Sequence, residues 1–544
     1  MTKFIMAFFL IPLLINSGQN LDSLYNKLIK IKNHSSTFPV KQENITSNGD
    51  HEKCLTSLFN DIGLNISHYS PEKKMVIQSI LERPATDTSF ITPSGKFRIH
   101  YNTTGSDAPA YDLNLLAKAA DSSYNYEVNI LGYPPPPPDS GDGGDNLYDI
   151  YIQYLGAGSY GYTKSDRQIT ANTSTSFIVM DNSFAGDIYY THGIDAARVT
   201  IAHEFHHGIQ LGNYIYRGSD KYYHELTSTS MEHFVFESIH DYYQYIPSYS
   251  KNTQRSFSLN SGYNLAIWNI FLSDRLGMNV IKRSWELMPK ERALNAIADA
   301  INEAGSAFQT EFNIFGQWSY FTGSRAVPGK YFKEAANYPF VSPAMIMSIT
   351  QSPATLQTQP ISNNFLVFTA PGYSGTDTLV SIITNFDIDN GVNNPYNNLQ
   401  INYSLAISNL NGYTHIIKNY YSQINPENNL LLSESDIFNN KPVNGGPIPS
   451  EISYVYPQPF IYSVNNYLNF PITISSTEPV DLYVYSVDMK LVYSGKRPIV
   501  ASKNIVINWN GLDNNNRKLA TGVYIYLTNS GGTIMKGKFV VFNE

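Results

Sequence analysis

The chain of 544 residues has a single cysteine, so no intramolecular disulfide framework holds it together. It also has no apolar run of the roughly 20 residues that a membrane-spanning helix needs. Basic residues form no cluster, and the formal net charge is −8. We therefore expect no transmembrane span in the mature chain, and we do not expect a nucleic acid as a partner.

The first eighteen residues have the organisation of a secretory signal peptide. Lys3 supplies the positive charge, and Phe4–Ile15 forms an apolar run that is too short to cross a bilayer. Small residues follow at 16–18, where cleavage is expected. We predict that residues 1–18 are removed and that the protein is exported.

An HExxH pentad begins at His203, inside a segment with the apolar periodicity of a helix. We predict this helix over Ala196–Leu211, with Asp195 as its N-cap. His203 and His207 then share one helix face, one turn apart, so their imidazoles can fill two positions of a tetrahedral zinc site. Glu204 lies beside them, where it can act as a general base. The alternative is a solvated helix face that is rich in histidine.

A zinc site of this kind needs a third protein ligand. Gln210 and Asn213 stand where a metzincin has a glycine and a histidine, so that family is excluded. Glu225 lies 18 positions beyond His207, which lets one helix end and a second return beside it. We predict Glu225 as the third metal ligand. Glu232, two turns later on the same face, is the alternative ligand; otherwise it orients a histidine through its Nδ1–H group.

The run Val199–Tyr245 resembles a group of secreted bacterial metalloproteases of the gluzincin clan. Their HExxH helix is followed by a Glu-Ala-Thr-Ala-Thr-Trp-Met-Glu-like helix, which stands here as Glu225–Glu232. Ser230 replaces the tryptophan of that pattern, and the ligand position is unaffected. The likeness extends to Phe97–Tyr101 upstream and to Tyr263–Arg325 downstream.

This resemblance implies a secreted zinc peptidase, most naturally an endopeptidase, that acts on a protein or peptide substrate. Its metal ligands would be His203, His207 and Glu225. Glu204 would be the general base toward a zinc-activated water. Two alternatives stay open at this point: an aminopeptidase, and a surface-binding or adhesin-like protein on an inactive peptidase scaffold.

The predicted fold class is multidomain α+β. A zincin-like metallopeptidase domain, with a mixed sheet over the HExxH helix and a helical lobe, is followed by two β-sandwich modules. We place a candidate pro-segment at 19–90, the metallopeptidase domain at 91–330, and the β modules at 335–448 and 449–544. The elements predicted inside the metallopeptidase domain are strands at Phe97–Asn102, Leu147–Leu155 and Thr175–Met180, helices at Asp112–Leu131, Tyr263–Leu276 and Ala293–Ala304, and a substrate-gripping edge strand at Gly156–Gly161.

The last ninety residues are similar to the immunoglobulin-like carboxy-terminal modules of proteins exported by the type IX route. The likeness rests on Tyr456–Phe460, Asp481–Ser486, Trp509–Gly511, Ala520–Tyr526 and Lys536–Val540. It implies the secretion machinery as a partner and places the protein outside, or on the surface of, a Gram-negative bacterium. The alternative is an appended β-sandwich with no sorting role.

Two further features suggest ligands. Cys54 lies in the candidate pro-segment, where a thiolate can occupy the open zinc position and silence a zymogen; the alternative is a partly buried small residue. The acidic loop Asp139–Asp145 follows the prolines Pro134–Pro138, and its oxygen-rich composition suits Ca²⁺. Its spacing does not match an EF-hand, so a solvated loop is the other interpretation.

Overall fold

The computed structural model describes residues 21–32, 53–156, 158–348, 354–369, 379–410, 413–422, 430–433, 455, 457–472, 479–501, 505–530 and 533–543. The chain divides into two compact units: Met1–Ser408 with His415–Lys441, and Asn409–Thr414 with Pro442–Glu544. Helices and several sheets are present, so the predicted multidomain α+β class is confirmed at that level. The predicted signal peptide lies outside the described residues.

The first unit contains a mixed five-stranded sheet. Its strands are β1 (Thr88–Ile91), β2 (Phe97–Tyr101), β3 (Tyr148–Gln153), β4 (Gly161–Gln168) and β5 (Ser174–Asp181). Their order across the sheet is β1-β2-β3-β5-β4, in which β2, β3 and β5 run parallel while β1 and β4 pair antiparallel at the two edges. The strands predicted at β2, β3 and β5 are confirmed.

The edge strand itself is displaced from its predicted place. Of the predicted strand Gly156–Gly161, only Gly161 lies in a strand, as the first residue of β4. Gly156 and Gly158 have φ values of 65° and 76°, a left-handed conformation that a strand cannot continue through. The edge of the sheet is therefore β4, which begins where the predicted strand ends.

The helices of the first unit are α1 (residues 21–32), α2 (Thr56–Leu64), α3 (Pro71–Leu81), α4 (Leu113–Tyr124), α5 (Gly193–Asn213), α6 (Lys221–Val235), α7 (Ile246–Ser250), α8 (Ala266–Leu276), α9 (Asn279–Leu287), α10 (Ala293–Glu303), α11 (Phe308–Tyr320) and α12 (Ile388–Asn393). Of these, α2, α4 and α5 pack on the mixed sheet, and α8 packs on α6. Most of the predicted helix at Tyr263–Leu276 is α8, but its first three residues, Tyr263–Leu265, form a 3-10 turn.

Helix α5 carries the HExxH pentad, and every residue from Val199 to Gly212 is buried. Its Phe205 ring packs edge-on against Phe97 of β2 at 5.2 Å, which fixes one face of the helix on the sheet. The interpretation as a solvated helix face is therefore wrong. Asp195 is not the N-cap, because the helix begins at Gly193; it lies in the first turn, where a carboxylate still complements the helix dipole, and it pairs with Arg198 at 2.7 Å.

Two glycines let other segments approach the back of α5. A Cβ on Gly208 would lie 2.3 Å from the Tyr148 hydroxyl, and one on Gly212 would lie 2.3 Å from Cδ of Pro137. The proline run Pro134–Pro138 therefore packs against the end of the helix. Both contacts hold α5 in a fixed position, so its histidines are presented from a rigid element.

The helical lobe packs on the opposite side of α6. Trp285 of α9 is fully buried, stacks on Tyr223 at 5.4 Å, and donates its indole N–H to Thr227 Oγ1 at 3.2 Å. Trp268 of α8 is also fully buried, among the rings of α11. Because both faces of α6 are packed, the carboxylates on it point to defined places.

The candidate pro-segment forms α1, α2 and α3, which pack on the mixed sheet. Phe59 of α2 stacks on Tyr162 of β4 with ring centroids 4.2 Å apart. The same apolar cluster includes Phe177 and Val179 of β5. The residues just before α2 consequently lie along the edge strand.

The rest of the described chain is mainly β. Between 345 and 433 the strands are β6 (Met345–Ser348), β7 (Ala354–Thr358), β8 (Ser362–Thr369), β9 (Leu379–Asn385), β10 (Leu399–Leu410), β11 (Tyr413–Ser422) and β12 (Leu430–Ser433), in sheets of order β11-β10-β7 and β12-β9-β8-β6. Beyond 455 they are β13 (Phe460–Ile461), β14 (Leu468–Pro471), β15 (Val480–Ser486), β16 (Leu491–Arg497), β17 (Ile499–Ala501), β18 (Ile505–Trp509), β19 (Gly522–Ser530) and β20 (Thr533–Phe542), in sheets of order β13-β20-β19-β15-β16 and β14-β18-β17. The second unit has its own apolar core around Trp509 and Phe539. The predicted domain boundaries stay predictions.

Candidate metal centre

Three side chains from α5 and α6 converge on one point. Nε2 of His203 and Nε2 of His207 lie 3.2 Å apart, and Oε2 of Glu225 lies 3.2 Å from the first and 3.5 Å from the second. All three residues are buried. The structure thus brings together the three predicted ligands, with one donor atom of each facing the same position.

Neighbouring side chains fix the direction of both imidazoles. Nδ1 of His203 lies 2.7 Å from Oε1 of Glu232, and Nδ1 of His207 lies 2.8 Å from Oε1 of Gln210. With these Nδ1–H groups donating, each histidine presents the lone pair of Nε2 to the shared point. Glu232 thus contacts the Nδ1 atom of a histidine, whereas Oε2 of Glu225 faces the two Nε2 atoms.

The charged groups of this cluster influence one another's pKa values. Burial opposes the charge on Glu225, but the imidazoles of His207 and His203 outweigh it and lower the pKa of the carboxyl group. Burial alone would also lower the pKa of His203, yet its hydrogen bonds to Glu225 and Glu232 raise the pKa to about 9. A divalent metal would compete with protons for these donor atoms.

Cys54 is the fourth member of the same cluster. Its Sγ and one donor atom each from His203, His207 and Glu225 all lie within 4.8 Å of one another. Burial, with the charges of Glu204 and Glu225, raises the pKa of the Cys54 thiol. A bound divalent cation inverts this balance, because a coordinating thiol loses its proton. Two nitrogens, one oxygen and one sulfur form a donor set that suits tetrahedral zinc.

Glu204 is buried beside these donors and is held by two threonines. Its Oε2 accepts hydrogen bonds from Thr163 Oγ1 of β4 at 2.9 Å and from Thr56 Oγ1 of α2 at 3.1 Å. The carboxylate therefore points toward the edge strand, away from the apolar face of α5.

The remaining histidine of the pentad plays no part in this cluster. Nδ1 of His206 lies 2.8 Å from Oε2 of Glu127, and its ring packs edge-on against Tyr133. Burial lowers the pKa of His206 and raises that of Glu127, so it disfavours the charged form of both groups. His206 is a packing residue, as its place off the ligand face predicts.

A buried lysine near the centre has no signal in the sequence. Lys53 Nζ lies 2.7 Å from each Glu232 oxygen and 2.6 Å from Oδ2 of Asp241, and the lysine is 4% exposed. Burial would lower its pKa, but Asp241 and Glu232 outweigh that effect and raise it, so the amine is charged. Local sequence spacing does not indicate Lys53 or Asp241 as site residues. Lys53 is 179 positions from Glu232 and 188 positions from Asp241 in the chain.

Tyr263 is a second residue that spacing does not indicate. Its ring stacks on His203 with centroids 6.0 Å apart, and its hydroxyl lies 3.4 Å from both the backbone nitrogen and the backbone oxygen of Cys54. Gly262, at a φ of 100°, makes this possible: a Cβ there would lie 2.3 Å from the Tyr222 carbonyl and 2.7 Å from Glu225 Cβ. The hydroxyl therefore reaches the position beside the ligands.

The acidic loop proposed for calcium is held by arginines. Asp139 pairs with Arg83 at 2.7 Å, Asp142 pairs with Arg167 at 3.1 Å, and Asp145 pairs with Arg98. Each of these three carboxylates has a guanidinium partner, so the negative charge of the loop is balanced without a bound ion. The calcium site stays a prediction.

Comparisons with known proteins add little. No protein-family profile matches the sequence, and no curated protein matches it. Among solved structures, PorZ, an essential bacterial surface component of the type IX secretion system of Porphyromonas gingivalis, matches 34% of this chain and 38% of its own chain at 11% identity. The TM-score is 0.14, so this likeness supports no conclusion on fold or function.

Within the described part of the chain, no helix has the length and apolar character needed to cross a membrane.

Proposed function

We propose that the protein is a zinc-dependent peptidase whose metal is held by His203, His207 and Glu225. The observation that carries the proposal is the convergence of their three donor atoms within 3.5 Å, with the Glu204 carboxylate beside them. A binding protein would have no use for a buried general base next to a metal site. The mixed sheet over α5, with helices on the other side, supports a zincin-like domain.

The donor set favours zinc, because neutral imidazoles and a carboxylate are its common ligands in hydrolases. Zinc at such a site acts as a Lewis acid and lowers the pKa of water toward neutrality. Glu232 and Gln210 hold the two imidazoles in the required tautomer. This positioning matters because a misoriented ligand lowers metal affinity and activity.

Glu204 is the general base in this mechanism. It removes a proton from the attacking water and delivers that proton to the leaving amine. Tyr263 is the best placed donor for the developing oxyanion, because its hydroxyl already contacts backbone atoms beside the ligands. Tyr223 and His224 are less suitable donors for the oxyanion. The Tyr223 hydroxyl is hydrogen-bonded to Ser284, and Nδ1 of His224 is hydrogen-bonded to Gln210.

The substrate would bind along β4. This strand is at the edge of the mixed sheet, so its outer backbone groups can pair with an extended peptide. Thr163 lies in this strand and contacts Glu204 directly, so a peptide paired beside it would lie next to the general base. Recognition through backbone groups fits an endopeptidase, since it requires no free amino terminus.

We also propose that the protein is exported and reaches the exterior or surface of a Gram-negative cell. The apolar run Phe4–Ile15 supports export, and the motifs between Tyr456 and Val540 support a sorting role for the last β module. The described strands in that region form two sheets around one apolar core, as an immunoglobulin-like module requires.

The function is tested on the purified full chain by metal analysis and by casein hydrolysis. We expect one zinc per chain. Casein hydrolysis is expected to appear after limited trypsin digestion. It should stop when 1,10-phenanthroline removes the metal and return when zinc is added. Trypsin is inactivated before the assay, and a digest without the chain is the control. Absence of zinc, or hydrolysis that the chelator does not inhibit, would contradict the proposal of a metallopeptidase. Bound zinc without hydrolysis by either the undigested or the digested chain would favour the adhesin-like alternative.

A further inference from the structure

Residues 53–60 follow the outer edge of β4, where the proposed substrate would bind. The Tyr160 backbone N–H donates to the Lys53 carbonyl at 2.8 Å, and the Leu55 N–H donates to the Gly161 carbonyl at 3.0 Å. Cys54 and Gly161 form an isolated parallel bridge. Residues 53–55 therefore pair with the start of the edge strand as an added strand does, whereas residues 56–60 belong to α2.

Side chains of the segment continue this pairing. The backbone N–H of Thr163 donates to Thr56 Oγ1 at 2.7 Å, and that of Ser165 donates to Asn60 Oδ1 at 3.1 Å. Asn60 Nδ2 in turn donates to the Thr163 carbonyl at 3.2 Å. The edge groups that an incoming peptide needs are consequently already satisfied.

The same segment contacts every part of the proposed catalytic machinery. Cys54 Sγ belongs to the ligand cluster, Thr56 Oγ1 donates to Glu204 at 3.1 Å, and Ser57 Oγ donates to Glu225 Oε1 at 3.2 Å. The Thr56 backbone N–H donates to Cys54 Sγ at 3.4 Å, which holds the sulfur in place. A small packing residue explains none of these polar contacts.

Lys53 fixes the segment at its beginning. Its ammonium group is buried between Glu232 and Asp241, and its position one residue before Cys54 sets where the sulfur lies. Two buried carboxylates and one buried ammonium are stable only together, since removal of one partner leaves an uncompensated charge. The segment is therefore anchored in the cleft.

We propose that Cys54 supplies a fourth protein ligand to the metal and that residues 53–60 keep the proposed peptidase latent. This inference rests on the proposed function. A structural zinc site is closed by four protein ligands, whereas a catalytic site keeps one position open. The fourth ligand would thus convert the catalytic centre into a closed one while the segment is in place.

Activation would then be an exchange of ligands with no redox change. As residues 53–60 depart, the Cys54 thiolate would leave the metal and take a proton from solvent, and water would fill the position that the sulfur had held. Release of residues 53–60 also uncovers the edge of β4 and frees Glu204 from Thr56. A cut anywhere between this segment and β1 would allow the release.

The test uses the full chain, stripped of metal by a chelator and reloaded with Co²⁺. Wild type is compared with Cys54→Ser and with Ser57→Ala, a neighbouring change that leaves the sulfur in place. We expect a sulfur-to-cobalt charge-transfer absorption in wild type and Ser57→Ala. We expect it to disappear in Cys54→Ser while the bound cobalt stays stoichiometric, because three ligands remain.

The wild-type spectrum decides the question even if the variant fails to fold. Stoichiometric cobalt in wild type without the charge-transfer band would overturn ligation by Cys54 and leave it as a packed thiol, with the metal site intact. The chain has no other cysteine, so the band cannot come from elsewhere in it. Failure of wild type to bind any cobalt would overturn the metal centre itself, and this outcome identifies the proposed function as the part that is wrong.

Discussion

Replacement of Glu204 by glutamine is expected to lower hydrolysis by the activated chain about 10²- to 10⁴-fold, the usual contribution of a general base. Glutamine has the same shape and keeps an oxygen to accept the hydrogen bond from Thr163. It cannot take up the proton of the attacking water. Because Glu204 is not among the metal ligands, the zinc content is expected to stay the same. Initial rates on casein, with zinc measured on the same samples, give the result.

The matched control is Glu127→Gln. Glu127 is also a buried glutamate that contacts a histidine of the pentad, but its partner is His206, which lies off the ligand face. We expect its rate to stay close to that of wild type. Undiminished hydrolysis in Glu204→Gln, with normal zinc content, would remove Glu204 from the mechanism. An equal loss in both variants would indicate a structural effect of losing a buried carboxylate.

Replacement of Lys53 by methionine is expected to make the full chain active without proteolysis. Methionine fills most of the space of the lysine stem but leaves Glu232 and Asp241 buried without their cation. Breaking a buried ion pair in this way costs about 3–5 kcal/mol. The cost falls on the closed state, because release of the segment lets water reach both carboxylates. The population of the open state, and with it the rate, should rise about a hundredfold or more.

Lys73→Met is the control for this change. Lys73 belongs to the same N-terminal region and also forms an ion pair, with Asp22 at 2.6 Å, but both side chains are partly or largely exposed. Pairs of that kind contribute at most about 1 kcal/mol, so no activation is expected. Casein hydrolysis by undigested full-length chains compares the two. If Lys53→Met folds and binds zinc but hydrolyses casein no faster than wild type, the ion pairs of Lys53 with Glu232 and Asp241 do not hold residues 53–60 in the cleft.

Much of the candidate metal centre is predictable from sequence because it depends on helical periodicity. His203 and His207 are one turn apart on α5, and Glu225 and Glu232 are two turns apart on α6. Once both helices form, the spacing alone determines which side chains share a face. Strands β2 and β3 are predictable for a similar reason, since apolar residues recur at every second position, and β5 contains a short apolar run.

The rest depends on contacts between distant segments, which spacing does not record. Lys53, Asp241 and Tyr263 reach the centre from three separate parts of the chain. The role of Cys54 is uncertain from sequence for the same reason, because only the pairing of its segment with β4 brings the sulfur to the ligands. Local details also differ: a carboxylate at 195 suits either an N-cap or a first turn, and the backbone places it in the turn.

The most direct test of the account is a crystal structure of the full chain, with anomalous diffraction recorded on both sides of the zinc absorption edge. We expect one strong zinc peak about 2.0–2.2 Å from Nε2 of His203, Nε2 of His207 and Oε2 of Glu225, with Cys54 Sγ at about 2.3 Å. A peak bound by Glu232 in place of Glu225 would change the ligand assignment. No peak at this position, in crystals of a chain that carries zinc in solution, would contradict the metal centre and the function that rests on it.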